Sequence, residues 1–460
     1  MRNLLPHIGF MLKTAGFSTM IPVAAAIVHG ENSSFMGLAA TALAFVALGY
    51  SFDVFDKKKD LTYWDACRIA TVTYVLLGFV GAMPYMLSVG SDEPILSPSD
   101  SVFESISGFT TTGHTMIEEP GRMSRSTALY RDMTQYLGGV IIILVFIVFF
   151  TPKHGRFDLE KAFGLEQAKN VLRKTFVKVL NIYLILLLML SVMLVVTGQG
   201  ILDSFSYILG GLSTGGFTPG ESDIGIMEGT VLLTAMVAGS VNFLVFHHVT
   251  SGKIKEALRE ELPYLIGIIL AASILSYAAF GYGFFTSLFQ NTSAATTTGF
   301  SALDVSVQPE GFKALLILLM IVGGSSLSTS GGIKIWRAIL LAKAAYVSLH
   351  NRFGKKQRKV MLWNKPVKGE MAGRARNLFA AMMGVVFFSS VLFALQGYDP
   401  VDSVFETVSA VSTTGLTAGI TNPAMAAHLK CVMVALMILG RLEIMPFLIV
   451  LNKNPAGGKG

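Results

Sequence analysis

The chain is 460 residues long, with 52% hydrophobic residues, 14% charged residues and a mean hydropathy of +0.59. A soluble chain of this length would need more charge, and apolar stretches near the ~20 residues that cross a bilayer recur from one end to the other. These properties predict one integral membrane unit and exclude a set of soluble domains. The net charge of +7 is interpreted as membrane topology, so nucleic-acid binding is not predicted.

Ten hydrophobic spans are predicted along the chain. They lie near residues 8–29, 35–52, 66–89, 127–151, 175–198, 229–250, 262–281, 312–345, 376–396 and 425–451. The first span contains Lys13 and has no clear small-residue cleavage site before Glu31, which predicts a retained helix and not a signal peptide. Cys67 and Cys431 both fall inside spans, which favours packing roles over a disulfide or a thiolate metal site.

After the first two spans, one short pattern occurs four times between longer spans. Each copy has a capping residue, a serine directly after it and a glycine 13 positions after the cap. The caps are Asp100, Asp203, Thr286 and Asp402. The glycine segments are Thr111-Thr112-Gly113, Thr214-Gly215-Gly216, Thr297-Thr298-Gly299 and Thr413-Thr414-Gly415. The constant interval accommodates a helix of about three turns, so the sequence predicts four repeats of helix, short helix, glycine segment and helix.

The chemistry of this pattern indicates a cation pore. The carboxyl end of each short helix presents unpaired carbonyls and the negative end of the helix dipole, which favour a cation without a buried carboxylate. The glycine then permits backbone angles that turn successive carbonyls toward an axis. Four such segments around one axis would replace the water shell of a potassium ion. The alternative is that they are Gly/Thr turns that pack the helices of an ordinary transporter.

The segment 323–334 is predicted to interrupt a membrane helix. It contains four glycines and five serines or threonines, which do not hold a rigid helix. Irregular backbone at this depth must face protein or water, so a movable barrier is predicted, with close helix packing as the alternative. The predicted gate residues are Gly323, Gly324, Ser325, Ser326, Ser328, Thr329, Gly331 and Gly332.

Arg441 lies among apolar residues of the last span, where an arginine is costly unless it faces a cavity or a partner. In a pore its charge would repel a cation and contribute to the gate. The alternative is a salt bridge to Glu443 or another acid. Glu443 is only two positions away and points to a different helix face, which weakens that alternative.

His114 directly follows the first glycine, where the other copies have Phe217, Phe300 and Leu416. It is predicted to face the outer mouth. A protonated imidazole there would repel potassium and lower uptake at acidic external pH. A neutral packing role is the alternative.

Basic residues near the span ends predict the orientation. They cluster within 57–59, 153–174, 253–259 and 334–376, on alternate loops that are assigned to the cytoplasm. The opposite loops carry mainly acids, which would raise the local concentration of cations. Both termini are therefore predicted to be cytoplasmic.

Together these motifs resemble the Trk/Ktr/HKT superfamily of potassium transporters, and most closely its bacterial Trk membrane subunits. The resemblance rests on the four glycine segments, the segment 323–334, the run Gly440-Arg441-Leu442-Glu443 and the two extra N-terminal spans. It implies an all-α membrane fold with four pore repeats in a pseudo-fourfold arrangement around one pore. The implied units are 1–60 for the extra helices and 61–155, 156–252, 253–350 and 351–460 for the repeats.

The resemblance also implies roles and partners. The glycine segments would form the potassium filter, and Gly113 favours potassium because family members with serine there prefer sodium. The Gly/Ser segment and Arg441 would gate the path, although Leu327 departs from the small residue often found in the family. Trk membrane subunits form homodimers and assemble with cytosolic regulatory subunits that bind ATP, ADP or NAD. The expected location is a bacterial or archaeal cytoplasmic membrane.

Two functions fit the sequence. The first is gated, channel-like potassium uptake. The second is a symporter that moves K⁺ or Na⁺ with H⁺ or Na⁺, which would need acids along the path, and few besides Glu443 are evident. Potassium is the expected transported ion, with no organic cofactor in this chain. An enzyme is not predicted, since the sequence has no HExxH motif and no nucleophile constellation.

Overall fold

In a computed structural model, the chain folds mostly into helices. The structure describes residues 2–56, 63–87, 96–150, 168–220, 225–250, 252, 261–353, 359–362, 365–367 and 369–443. The helices in chain order are α1 (Leu5–His29), α2 (Asn32–Ser51), α3 (Tyr63–Val80), α4 (Met83–Leu87), α5 (Pro98–Phe109), α6 (Arg125–Phe150), α7 (Ala168–Val196), α8 (Ile201–Leu212), α9 (Ile226–Ser240), α10 (Phe243–Thr250), α11 (Leu262–Phe280), α12 (Phe284–Ala295), α13 (Glu310–Val322), α14 (Ile335–Phe353), α15 (Gly369–Leu395), α16 (Pro400–Val411) and α17 (Ala427–Arg441). Two short strands after α14, β1 (Met361–Leu362) and β2 (Lys365–Pro366), pair antiparallel with Leu362 opposite Lys365.

Five helical stretches within the described residues are long and apolar enough to cross a membrane. They are Arg2–His29, Asn32–Val54, Trp64–Leu87, Leu262–Phe280 and Met371–Leu395. Their outward faces carry large apolar side chains such as Phe17, Ile274 and Phe388, and Phe388 is 72% exposed. An apolar exterior of this extent suits lipid contact. The predicted class, a mostly helical membrane-type protein, is confirmed.

Most predicted spans agree with helices to within several residues, but three of them are divided. The predicted span 66–89 falls on α3 and α4, which a turn at 81–82 separates. The Gly/Ser segment separates α13 from α14, as its composition indicated. The prediction of one continuous helix over 229–250 is wrong, because α9 ends at Ser240 and α10 begins at Phe243. Val241 takes extended backbone angles there, and the freed Ser240 carbonyl accepts a hydrogen bond from the N–H of Ser325 at 3.0 Å.

Several segments used for the orientation prediction lie outside the described residues. These are the basic segments 57–59, 153–167, 253–259 and 354–358, together with the end of the last predicted span after residue 443. The described end of α14 does carry the basic residues His350 and Arg352 in its last turn. The cytoplasmic placement of both termini stays a prediction.

The two N-terminal helices form a hairpin that packs against α3, α4 and α6. A Cβ added to Gly9 would lie 2.5 Å from the carbonyl oxygen of Gly49, so α1 and α2 meet backbone to backbone. Glu31, between the two helices, accepts hydrogen bonds from the N–H groups of Arg125 and Ser126 at 3.1 and 3.0 Å. The hairpin therefore supplies a carboxylate to the amino end of α6, where exposed N–H groups need acceptors.

Four short helices, α5, α8, α12 and α16, have 12 residues each, which agrees with the predicted three turns. The predicted caps are wrong. The N-cap residues are Ser97, Gly200, Gly283 and Asp399, each three positions before a predicted one. The Ser97 side chain accepts a hydrogen bond from the N–H of Asp100 at 3.2 Å. Asp100, Asp203, Thr286 and Asp402 thus occupy the third helical position, where a carboxylate still favours the positive end of the helix dipole.

Candidate functional site

Each short helix ends in the same backbone conformation, which a threonine defines. The threonines are Thr111, Thr214, Thr297 and Thr413, with φ of 53°, 53°, 53° and 50°. This left-handed region is rare for a β-branched residue. In every copy the N–H of the threonine bonds to the carbonyl three residues back, and the next N–H bonds five residues back, as Thr112 does to Ser107 at 2.9 Å. These two bonds form a Schellman-type helix end. Strain repeated at four buried positions is typical of a functional segment.

The glycines that follow these threonines lie in a closed ring of contacts. The contacts run from Gly113 to Gly215, from Gly216 to Thr298, from Gly299 to Thr414 and from Gly415 back to Thr112. A Cβ added to any of the four glycines would lie 2.0–2.1 Å from a carbonyl oxygen of the next segment. Only glycine fits at such a distance, and its φ is positive at all four positions. The structure therefore brings the four predicted segments together, with the fourth next to the first.

Three carbonyls of this ring accept no hydrogen bond within the described part of the chain. Within the described residues, no N–H or O–H group donates to the carbonyl oxygens of Thr112, Thr298 or Thr414. Their hydroxyls lie 2.8 Å from the hydroxyl of the preceding helix C-cap residue, which is Thr110, Thr296 or Ser412. The second segment differs, because the Gly215 carbonyl accepts a hydrogen bond from Gln135 Nε2 at 2.6 Å. Sequence analysis missed Gln135, since its contact with the ring spans 80 positions of the chain.

A polar side chain in the middle of each short helix forms hydrogen bonds with backbone groups that follow the glycine of the same copy. It stands nine positions before the glycine in every copy. The residues and their backbone partners are Glu104 with Met116, Tyr207 with Gly220, Gln290 with Ala302, and Glu406 with Ile420 and Thr421, at 2.8–3.2 Å. Glu104 and Glu406 are fully buried. These carboxylates were not assigned from the sequence, although their constant distance from the glycine was a signal.

Arg131 on α6 connects the first short helix with the second glycine segment. Its Nε donates to Glu104 at 2.6 Å, and its Nη1 donates to the carbonyl of Thr218 at 3.1 Å. The guanidinium also lies 3.5 Å from the centroid of the Phe217 ring. One buried cation therefore balances a buried carboxylate and packs on an aromatic face.

The Gly/Ser segment lies directly against the ends of three short helices. Thr329 Oγ1 is 3.2 Å from Thr214 Oγ1, and the N–H of Gly331 donates to Thr297 Oγ1 at 2.7 Å. A Cβ added to Gly331 would lie 1.9 Å from the carbonyl oxygen of Ser412. The left-handed threonines thus present hydroxyls to this segment, and the predicted gate residues lie beside the predicted filter residues.

The opposite side of the Gly/Ser segment is held by the interrupted helix of the second repeat and by an acid. The N–H of Phe243 donates to the Leu327 carbonyl at 3.1 Å. The N–H of Ser326 donates to a carboxylate oxygen of the buried Glu261 at 2.6 Å. Leu327 itself has a φ of 51°. The break between α9 and α10 therefore provides a docking place for the segment.

Arg441 is buried, and its guanidinium bonds to backbone carbonyls. Nη1 donates to Thr329 at 2.6 Å, and Nη2 donates to Gly138 at 3.3 Å. Glu443 instead forms an ion pair with Arg337 at 2.7 Å. The alternative of an Arg441–Glu443 salt bridge is wrong, and no carboxylate within the described residues pairs with Arg441. Its Nε also donates to the hydroxyl of Tyr74 at 3.4 Å, so its positive charge lies at the Gly/Ser segment and is balanced by neutral oxygen atoms.

His114 does not lie at an open mouth. It is 1% exposed, the same fraction as Phe217, Phe300 and Leu416 at the equivalent positions. Its Nδ1 lies 3.8 Å from Glu406, and neither ring nitrogen has a hydrogen-bond partner among the described residues. The predicted exposure is wrong, because this position packs behind the ring in all four copies.

Comparison with known proteins identifies the family. The family model described as TrkH, cation transport protein, matches residues 34–265 and 228–457. The chain belongs to the TrkH family. A relative from Halomonas elongata, named Trk system potassium uptake protein TrkH, is 29% identical over 87% of each chain. A TrkH relative from Escherichia coli K12 is 24% identical over 98% of each chain. The crystal structure of the potassium transporter TrkH from Vibrio parahaemolyticus covers 98% of each chain with a TM-score of 0.85 and 20% identity.

These matches extend along nearly the whole chain. The resemblance to the Trk group that the motifs indicated is therefore confirmed. The solved structure supports the fold at 20% identity. Membership makes the protein a cation transporter by family.

Proposed function

We propose that the protein conducts potassium into the cell across the cytoplasmic membrane of a bacterium or archaeon. The observation that carries the proposal is the closed ring in which Gly113, Gly216, Gly299 and Gly415 each lie against a backbone carbonyl of the next segment. Carbonyl oxygens arranged in this way replace the water shell of a potassium ion. The names of the curated relatives, potassium uptake proteins, support potassium as the ion.

The filter in this proposal consists of the four glycine segments. Its residues are Thr111, Thr112, Gly113, Thr214, Gly215, Gly216, Thr297, Thr298, Gly299, Thr413, Thr414 and Gly415. We place them in four pore repeats, 61–155, 156–252, 253–350 and 351–460, arranged pseudo-fourfold around one pore behind two extra N-terminal helices. The Gly/Ser segment and Arg441 form the gate, because they lie beside the ring and share hydrogen bonds.

Potassium flow in this scheme needs no chemical step. An inside-negative potential of ~100 mV contributes about 2.3 kcal/mol per charge. That energy supports about fiftyfold accumulation. A passive pore with a gate is therefore sufficient for uptake, and the chain acts as a transport protein and not as an enzyme.

A symporter is the second candidate, and the buried acids favour keeping it. Glu104, Asp132 and Glu406 are fully buried, so carboxylates along the membrane path are more numerous than the sequence indicated. Glu104 and Glu406 hold backbone N–H groups, which leaves Asp132 on α6 as the acid for proton coupling. An inward potassium flux that stays constant when a pH gradient is imposed would exclude coupling.

The proposed assembly is a homodimer with cytosolic subunits that bind ATP, ADP or NAD. The proposal rests on membership of the TrkH family and on a relative whose name assigns it to a Trk system. Both termini would face the cytoplasm. The basic end of α14, with His350 and Arg352, provides a surface for such a partner.

Replacement of Gly113 by serine tests the filter. The purified chain is reconstituted in liposomes, and K⁺ and Na⁺ fluxes are measured at a clamped potential. A Cβ at 113 would lie 2.1 Å from the Gly215 oxygen and would displace it. We expect the K⁺/Na⁺ permeability ratio to fall about tenfold, which corresponds to ~1.4 kcal/mol of ion discrimination.

Gly281→Ser is the matched control for this experiment. Gly281 also has a positive φ, of 73°, but open space surrounds its Cβ position. The control carries the same backbone strain away from the ring, and its permeability ratio should equal that of the wild type. Equal selectivity in Gly113→Ser and Gly281→Ser would overturn the filter assignment.

A further inference from the structure

The second glycine segment lacks the threonine that the other three have before their glycine. The first, third and fourth segments have Thr112, Thr298 and Thr414 there, and the second has Gly215. Each of the three threonines bonds through its hydroxyl to a C-cap hydroxyl at 2.8 Å. Gly215 has no side chain to make this bond, so the second segment needs another means of holding its carbonyl.

Gln135 holds the carbonyl of the second segment. Its Nε2 donates to the Gly215 carbonyl at 2.6 Å, and its Oε1 accepts from the N–H of Phe217 at 3.2 Å. One carboxamide therefore holds the peptide groups on both sides of Gly216. Gln135 is fully buried, so water does not compete for these bonds.

The space around Gly215 shows that the glutamine and the glycine depend on each other. A Cβ at 215 would lie 2.4 Å from Cδ, 2.6 Å from Oε1 and 2.7 Å from Nε2 of Gln135. A threonine at 215 would displace the Gln135 carboxamide from this position, because real Cβ contacts are longer than these distances. The Gln135 carboxamide occupies the space that a side chain at position 215 would otherwise fill.

Three positions before a helix glycine, the first copy has a glutamine and the later copies have a methionine. Gln135 stands three positions before Gly138, a helix glycine whose Cβ position lies against the last carbonyl of the short helix α5. Residues three positions before Gly239, Gly323 and Gly440 are Met236, Met320 and Met437. All three methionines are fully buried. Gln135 is therefore the one glutamine among these four positions, and it contacts the one glycine segment that lacks a second threonine.

We propose that Gln135 is a positioning residue of the ion filter that sets the direction of the Gly215 carbonyl and thereby contributes to potassium selectivity. This inference rests on the proposed filter. A carbonyl oxygen has two lone pairs, so one can accept from Gln135 while the other faces an ion. The donated hydrogen bond also makes this oxygen a weaker ligand than the three free ones, and the ring is chemically asymmetric.

The test compares Gln135→Met with the double variant Gln135→Met/Gly215→Thr in liposomes, by K⁺ and Na⁺ fluxes at a clamped potential. Gln135→Met removes both hydrogen bonds, and the K⁺/Na⁺ permeability ratio should fall about five- to tenfold, the size expected when a bond that orients one ligand is lost. The double variant gives the second segment the same residue types as the fourth. Ser213 corresponds to Ser412, whose hydroxyl bonds to that of Thr414. Its ratio should return toward the wild-type value.

Met236→Leu is the matched control, since it changes a buried side chain at the equivalent position with little change in volume. Its ratio should equal that of the wild type. An unchanged ratio in Gln135→Met, or a double variant less selective than the single one, would overturn the inference.

Two further outcomes keep the result interpretable. If Gln135→Met does not insert and fold, Gln135→Glu replaces it, because the carboxylate keeps the size and the acceptor for Phe217 but loses the amide donor. An unchanged ratio in Gln135→Glu would also overturn the inference. A wild-type protein that does not select potassium would defeat the proposed function itself, whereas a selective wild type with an equally selective variant would defeat only the role of Gln135.

Discussion

The threonines at the ends of the short helices show how single residues shape this site. A left-handed residue with a Cβ costs on the order of 1–2 kcal/mol, and glycine would avoid that cost. Threonine brings a hydroxyl, and Thr297 uses it to accept the N–H of Gly331 at 2.7 Å. Thr214 similarly reaches Thr329 at 3.2 Å. Thr214 and Thr297 therefore link the proposed filter to the Gly/Ser segment through bonds that a glycine could not make. Among the described residues, the hydroxyls of Thr111 and Thr413 have no hydrogen-bond partner.

His114→Phe is expected to leave the pH dependence of uptake unchanged. The imidazole is 1% exposed and occupies a position where two other copies have phenylalanine. Burial opposes protonation, because the charged form loses its hydration. Potassium flux of wild type and variant, measured in liposomes at acidic and at neutral external pH, should show the same ratio.

Asp304→Asn provides a control for that measurement, because Asp304 lies at an exposed site. Its carboxylate caps a short helical turn after the third segment by accepting the N–H of Ser306 at 3.0 Å. A loss of acid sensitivity in His114→Phe alone would restore the role first predicted for this histidine, as a charge that repels potassium.

At the scale of helices and loops, the site depends on two interrupted helices that meet. The Gly/Ser segment divides α13 from α14, and the break at 241–242 divides α9 from α10. Each break leaves backbone groups without helical partners, and they bond to each other, as Ser325 does to Ser240 at 3.0 Å. Such bonds satisfy irregular backbone at membrane depth. A segment held by a few exchangeable bonds can open without unfolding its neighbours.

Arg441→Ala is expected to raise potassium flux about tenfold with an unchanged K⁺/Na⁺ permeability ratio. The variant removes the bond to the Thr329 carbonyl at 2.6 Å, a charge-assisted bond worth ~1.5–3 kcal/mol. It also removes a positive charge from beside the proposed path. Flux and selectivity are measured in the same liposome assay as for the filter variants.

Arg352→Ala is the control, because Arg352 is an exposed arginine at the end of α14. Its flux should match the wild type. A flux that falls in Arg441→Ala, or a changed permeability ratio, would show that Arg441 supports the ring and does not restrict the path.

For the whole molecule, two ion pairs with buried lysines join short helices to longer helices of other segments in the same way. Lys313 on α13 pairs with Asp402 of α16 at 2.6 Å, and Lys430 on α17 pairs with Asp100 of α5. Each lysine also donates to a carbonyl seven positions before it. The second pair joins residues 330 positions apart. It therefore joins α17, near the carboxyl end of the described chain, to the first short helix, α5.

Lys430→Met is expected to destabilise the protein by about 3–5 kcal/mol, because it leaves the carboxylate of Asp100 buried without its partner. Thermal unfolding of the detergent-solubilised protein measures the change. The double variant Lys430→Met/Asp100→Asn should recover part of the loss, since the uncompensated charge is then absent.

Arg122→Met gives the matched comparison, because Arg122 pairs with Glu119 at the surface, where both side chains are more than half exposed. Exposed pairs contribute about 0–1 kcal/mol after screening by solvent. Equal midpoints for Lys430→Met and Arg122→Met would contradict the joining role of the Lys430–Asp100 pair.

The sequence by itself determined the elements that depend on short-range features of the chain, such as hydrophobic length, spacing and composition. The length of the hydrophobic stretches predicted most of the spans. The constant 13-residue interval predicted four helices of about three turns, and each has 12 residues. The composition of 323–334 was sufficient to predict a broken helix. The caps were misplaced by three positions, because a carboxylate at the third helical position and one at the N-cap have the same sequence signature.

Only the tertiary structure decided which distant groups meet. The partners of Gln135, Arg441 and Lys430 lie on other helices, and no periodic pattern relates them to their positions in the chain. The burial of His114 depends on packing behind the ring, which a single sequence does not specify. Local propensity acts over a few residues, whereas these contacts arise from how four similar units close around one another. The closure places four separate glycines within contact of the next segment, and the proposed cation site depends on that proximity.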